Sequence, residues 1–386
     1  MNKSLVFSVI SIWSLIQLPA NAADENFDVY VFADAKYDDN VFRVANDAEA
    51  LAQNGTTTQG DIELTYGVGA NVKIPVSRQQ FNVDAELRRT QFDRFDQLDN
   101  NNGEITGEWE WSYASRASGE LGYKYERALT DFFELQQAVD DTEVEQDIYG
   151  RASIPIHPRW TVVLGASLAD VSFDERPELD REENSYYGEL LFKTRVKTFV
   201  GLRIRESETE FDSNATAIED FEESEASLVV RYESTSKSRI SASLGRTERE
   251  PEGNTTNQDF TGTTGRISYL YILSGKTEID FEVFRETTQL NEVTGLVVSR
   301  GASIEPKWKI SPRTTFRGLL AYEERDFEDT LPVRSDELFT LSARVVYKLN
   351  RALSLDIGGR FRSRDSNVDL SEFDQSEISA GLRFRI

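Results

Sequence analysis

The 386-residue chain carries 43 lysines and arginines against 68 aspartates and glutamates, a formal net charge of −25. That balance excludes nucleic acid as a partner, because phosphate backbones need a basic footprint. The absence of cysteine excludes disulfide stapling, thiolate metal sites and lipid attachment through an N-terminal cysteine.

In chain order, Lys3, an apolar run from Leu5 to Leu18 and then Ala20-Asn21-Ala22 form the pattern of a secretory signal with a small-residue cleavage site. The run is too short to span a bilayer as a helix. The expected organisation is therefore a signal peptide over residues 1–22 and a single domain over 23–386.

Beyond this segment no stretch is apolar for long enough to make a transmembrane helix. Alternation replaces it. Ile62, Leu64, Tyr66, Val68, Ala70, Val72 and Ile74 share one phase, against Glu63, Thr65, Gly67, Gly69, Asn71 and Lys73. The pattern returns at Ile105 to Tyr113, at Leu353 to Phe361, and at Ile378, Ala380, Leu382, Phe384 and Ile386. A period of two puts successive side chains on opposite faces of a strand.

The first strand is expected near Phe27 to Tyr37. Others centre near residues 68, 86, 108, 123, 150, 166, 189, 203, 228, 243, 268, 283, 304, 320, 343, 358 and 381, about eighteen strands in all, each with room to cross the hydrocarbon. Short basic or polar turns recur between them, such as Ser77-Arg78-Gln79, His157-Pro158-Arg159 and Ser311-Pro312-Arg313. Longer acidic connections alternate with these turns: Val41 to Thr58, Asp174 to Glu183, Glu206 to Glu225, Arg249 to Asn257 and Asp326 to Asp336.

Tight turns on one side and long loops on the other are the asymmetry of an outer-membrane barrel. A soluble sandwich would place the apolar phase in a core. Aromatic placement favours the membrane version: Trp111, Tyr113, Trp160, Tyr271, Trp308 and Tyr347 lie in the apolar phase near short turns, as a girdle at one interface requires. The expected fold is all-β, a transmembrane antiparallel β-barrel of about eighteen strands with both termini periplasmic, in the outer membrane of a Gram-negative bacterium.

In such a barrel the polar phase lines the lumen. The candidate lining charges are Glu63, Asp84, Glu86, Glu108 and Glu110 in the N-terminal half. Arg203, Arg205, Arg231, Arg344, Arg360, Arg362, Arg383 and Arg385 follow toward the C-terminal half. Closure is expected to set a basic sector opposite an acidic one, a field that orients polar solutes; the competing reading is that these charges simply pair across the wall.

Catalytic chemistry finds little support. His157 is the only histidine and sits beside Pro158 in a turn, without the partners that a triad or a metal site needs. Glu108 with Glu110, and Asp84 with Glu86, could serve a glycosidase, but with 68 acidic residues such pairs arise by chance. No nucleotide loop or other cofactor motif is present. The acidic stretch Glu206 to Glu223 could bind calcium or bridge to lipopolysaccharide phosphates, against the plainer reading of a solvated loop.

Tyr37-Asp38-Asp39-Asn40-Val41-Phe42-Arg43, Asp93-Arg94-Phe95-Asp96-Gln97-Leu98-Asp99, Ser274-Gly275-Lys276-Thr277 and Ser311-Pro312-Arg313-Thr314-Thr315 carry a family likeness. With the hairpin rhythm they resemble the β-barrels of exopolysaccharide operons, the EpsL-like or "putative β-barrel porin 2" family. The resemblance implies a non-enzymatic outer-membrane path for an exopolysaccharide chain. Its partners would be outer-membrane lipid and lipopolysaccharide, an inner-membrane polymerase or co-polymerase, and a periplasmic polysaccharide-export protein. The alternatives are a general or sugar-specific diffusion porin, and a passive envelope scaffold or adhesin. One departure from many such barrels is the terminal residue, Ile386 in place of phenylalanine.

Overall fold

The computed structural model describes residues 26–386 other than 115, 133–139, 196–197, 213–219, 233–234, 253–258, 291–292, 328–332 and 369–370. The expected signal peptide lies outside the described residues. Eighteen strands form one sheet. They are β1 (Phe27–Asp38), β2 (Asp61–Val76), β3 (Gln79–Phe92), β4 (Asn100–Tyr113), β5 (Ala117–Leu129) and β6 (Thr142–His157). Next come β7 (Trp160–Phe173), β8 (Arg181–Lys193), β9 (Thr198–Phe211), β10 (Phe221–Tyr232), β11 (Ser238–Pro251) and β12 (Phe260–Ser274). The last six are β13 (Thr277–Leu290), β14 (Val293–Ser311), β15 (Thr314–Phe327), β16 (Arg334–Lys348), β17 (Leu353–Ser366) and β18 (Phe373–Arg385).

Every strand pairs antiparallel with its sequence neighbours, and β18 pairs with β1 from Tyr30↔Arg385 to Asp38↔Glu377. The barrel is therefore closed, and no edge is left unpaired.

Burial follows the two-residue period. On β18, Gln375, Glu377 and Ser379 are buried inside while Ile378, Ala380, Leu382 and Phe384 are exposed outside. The apolar phase is the exposed one throughout: Leu202 and Leu244 are 64% exposed and Ile357 55%. A soluble sandwich would bury these side chains, so this outward band meets lipid. Among the described residues no helix is long and apolar enough to cross a membrane; the strands make the crossing.

Cross-strand packing on the inner face pairs aromatics with glycines. Tyr30 lies over Gly69 and Phe32 over Gly67 on the neighbouring strand, and a Cβ on Gly69 would fall 2.2 Å from Tyr30 Cζ. Only glycine leaves room for the ring to lie flat along the wall.

Short turns join β2 to β3, β4 to β5, β6 to β7 and each later pair through β16 to β17, all at the end where β1 begins and β18 finishes. At the other end the connections differ from expectation. The segment read as a loop from Glu206 to Glu225 is mostly strand, because β9 runs to Phe211 and β10 starts at Phe221. Its outward carboxylates extend the barrel wall beyond the apolar band. The connection after β1 holds a short helix, α1 (Asp47–Asn54). The Asn46 side chain accepts from the Ala48 and Glu49 amides to start it, and Gly55 ends it at φ 71°.

Candidate functional site in the barrel lumen

The segment after β1 folds inward. Asn40, Val41, Phe42, Arg43 and Val44 are each buried to 4% exposure or less. Phe42 packs edge-on against Phe95, from the connection after β3, at 4.7 Å between ring centroids, and against Phe132, from the connection after β5, at 5.1 Å. Val41, Val44, Ala50, Phe92 and Leu98 complete this apolar cluster. Phe92 belongs to the inner face of β3, so the cluster sits inside the mouth of the barrel.

Arg43 anchors the segment to the wall. Its Nη1 donates to Asp38 Oδ2 at 3.0 Å and to the carbonyl of Asn40, while Nη2 lies 3.7 Å from Glu377 and 3.9 Å from Asp131. Burial alone would lower the Arg43 pKa, but the carboxylates of Asp38, Asp131 and Glu377 override it and hold the guanidinium charged. Arg362 on β17 joins the network, 3.3 Å from Glu377 and 3.4 Å from Asp131. Asp131 comes from the connection after β5, so the network ties strands on both sides of the β18–β1 seam.

A second inward element comes from the hairpin of β13 and β14. Leu296, Val297, Val298 and Ser299 are all at most 5% exposed, so both faces of β14 are covered there. Thr287 Oγ1 donates to Glu223 Oε2 at 2.6 Å, reaching β10 past two intervening strands.

Each sequence-predicted lumen charge lies in the inner phase, and most have partners. Glu63 meets Lys36 at 2.8 Å. Glu86 accepts from Tyr30 Oη at 2.8 Å, Glu108 from Tyr149 Oη at 3.2 Å and Glu110 from Asn82 Nδ2 at 3.1 Å. Arg203 and Arg231 converge on Glu189, each at 2.8 Å, and Arg205 donates to Glu223 at 2.7 Å. Arg344 binds Asp356 at 3.0 Å, Arg360 lies 3.6 Å from Glu377, and Arg385 donates to Asp28 at 2.7 Å. Arg383 stacks over Tyr30 at 4.2 Å. Asp84 stands opposite Asn71 and Thr106.

Closure also changes the expected field. The acid-rich strands β2–β6 and the arginine-rich strands β15–β18 lie on either side of β1, so the two sectors adjoin rather than face each other. Within the acidic sector, Glu86, Glu104, Glu126 and Glu145 are successive cross-strand partners. Lys124 bridges Glu126 at 3.0 Å and Glu145 at 2.7 Å, and Arg88 lies 3.3 Å from Glu86. Glu104 makes no ion pair among the described residues. Sequence reasoning missed this row because the alignment of separate strands is set by register.

His157 is exposed at the end of β6, where its Nδ1 accepts from the Arg159 amide at 3.2 Å. Glu208, Glu222 and Glu252 bring carboxylate oxygens within 4.8 Å of one another on the exposed strand ends beyond the lipid band. Trp160, Trp308, Tyr113 and Tyr347 are exposed on the outer face near the short turns, with Trp111 and Tyr271 half-buried among them. Tyr37, Tyr66, Tyr186 and Tyr322 are exposed on the outer face nearer the other end, a second aromatic level that the sequence reading did not identify.

An apolar outer band edged by aromatic side chains around a closed, polar-lined barrel decides the localisation. The chain is an outer-membrane β-barrel. Residues 273–386 match the family model described as "Putative beta-barrel porin 2". No curated protein sequence matches significantly. Among solved structures, Pseudomonas aeruginosa OccK2 (OpdF) is similar at 11% identity and a TM-score of 0.50, covering 94% of this chain and 98% of that one. Pseudomonas aeruginosa OccK1 (OpdK) gives 10% identity and a TM-score of 0.51, covering 94% and 99%. At these identities the likeness is one of fold.

Proposed function

We propose that this barrel is a diffusion porin for small polar solutes, with a constriction built by the inward segment after β1 and the covered stretch of β14 from Leu296 to Ser299. The observation that carries the reading is the burial of residues 40–44 inside the mouth, tied through Arg43 to Asp38 and Glu377. A porin needs such an inward-folded element. The buried segment after β1 supports that role. An eighteen-stranded wall encloses an aqueous lumen that loops then narrow. The partial match to the porin family model supports the same reading.

The exopolysaccharide conduit, with its periplasmic export protein, requires a path wide enough for a polymer, and two inward elements at one mouth favour the small-solute alternative. The test is conductance of the purified barrel in planar bilayers, with and without replacement of residues 41–58 by a short Gly-Ser linker. The expected result is small-solute flux in the intact protein and a severalfold larger conductance in the variant. A strain lacking the protein that exports no surface polysaccharide but keeps normal small-solute uptake would decide for the conduit.

A further inference from the structure

The end of the barrel that holds the short turns has an unusual charge. The chain is strongly acidic, yet each of its eight short turns presents at least one exposed cation, from Arg78 between β2 and β3 round to Arg351 between β16 and β17. Across the eight turn sequences the one aspartate or glutamate is Glu233, between β10 and β11. Arg78, Arg159, Lys276 and Arg313, set around the perimeter, have no carboxylate partner among the described residues, although long flexible side chains on one rim could readily have been given one.

Depth adds a second, independent indication. Outward aromatics stand a few positions from these cations: Trp160 adjoins Arg159, Tyr113 precedes Arg116, and Trp308 and Tyr347 precede Arg313 and Arg351. Aromatic belts mark the edge of the hydrocarbon. A cation one to five residues beyond such a ring stands at the depth of lipid phosphates, its aliphatic stem lying along the apolar wall.

We propose that this rim is a binding surface for anionic phospholipid headgroups of the adjoining leaflet. Strand spacing and tilt put the turns about 14 Å apart around the wall, farther than the screening length of about 8 Å at physiological salt. Each cation therefore acts on its own nearest phosphate. A folded partner would need the charges gathered on one patch, whereas lipid is the one occupant that touches the whole perimeter at once.

The test uses the full barrel purified in detergent and incubated with an equimolar mixture of phosphatidylglycerol and phosphatidylcholine of matched chains, the retained lipids being counted by native mass spectrometry. The wild type should retain severalfold more phosphatidylglycerol. A variant carrying Arg78→Gln, Arg159→Gln, Lys276→Gln and Arg313→Gln should lose about half of that excess, and lysine at the three arginine positions should preserve it. Heat-modifiable gel mobility confirms that each variant is folded, and two-turn variants replace any that is not. Equal retention of both lipids by the wild type, or a Gln variant indistinguishable from it, overturns the proposal. So does a wild type that retains neither lipid but captures an acidic protein in a salt-sensitive manner.

Discussion

Arg43 and Glu377 approach to 3.7 Å inside the mouth, although one follows the first strand and the other lies in the last. The contact exists only because β18 closes on β1, and it makes the inward segment part of the barrel seam. Breaking it should release the segment.

Arg43→Ala leaves the buried carboxylates of Asp38 and Glu377 without this guanidinium. Removing one partner of a buried ion network costs about 3–5 kcal/mol, more than the segment's local packing can absorb. The expected outcome is a barrel that still assembles, with larger and noisier single-channel currents and new protease cleavage within residues 41–58. Unchanged currents would show that the segment does not set the constriction.

The wall phase can be checked at adjacent residues. Ile105 faces lipid at 42% exposure, while Thr106 faces the lumen between Asp84 and Lys124. Ile105→Arg should cost about 2–4 kcal/mol in a folding titration into bilayers, and Thr106→Arg should cost well under 1 kcal/mol. Equal costs would contradict the assigned faces.

Gly69→Ala forces a methyl into the ring of Tyr30 and should destabilise the barrel by about 1–3 kcal/mol. Tyr30→Ala removes the obstacle, so the double variant should be less destabilised than the sum of the two. Strict additivity in a denaturant titration would show that the ring moves aside freely.

The row of Glu86, Glu104, Glu126 and Glu145 sets like charges directly opposite one another, which weakens a sheet by about 0.2–1 kcal/mol per pair. Glu104→Gln should therefore raise the temperature of heat modification. It should also move the reversal potential in a salt gradient toward lower cation selectivity. A change in stability with no change in selectivity would mean that permeating ions do not pass this row.

Orientation is open to a direct measurement. A tag between Ser274 and Gly275, in a short turn, is expected to meet antibody only after permeabilisation. A tag between Glu175 and Arg176, in the connection after β7, should meet it on intact cells. The reverse result would invert the barrel.

The order of residues by itself determined the strands, their number and their two faces. A wall that separates lipid from a polar lumen must alternate, as Ile378, Ala380, Leu382 and Phe384 do against Glu377, Ser379, Gly381 and Arg383. Its turns must be short at one end, and these are local properties. What only the tertiary structure decided are the relations between distant strands. Register aligned the four glutamates of β3–β6, and closure made the acidic and basic sectors neighbours. Contacts with Phe95, Phe132, Asp131 and Glu377 drew residues 40–44 into the mouth. Their physical basis is burial and charge pairing between segments up to 334 residues apart, which no local period in the chain records.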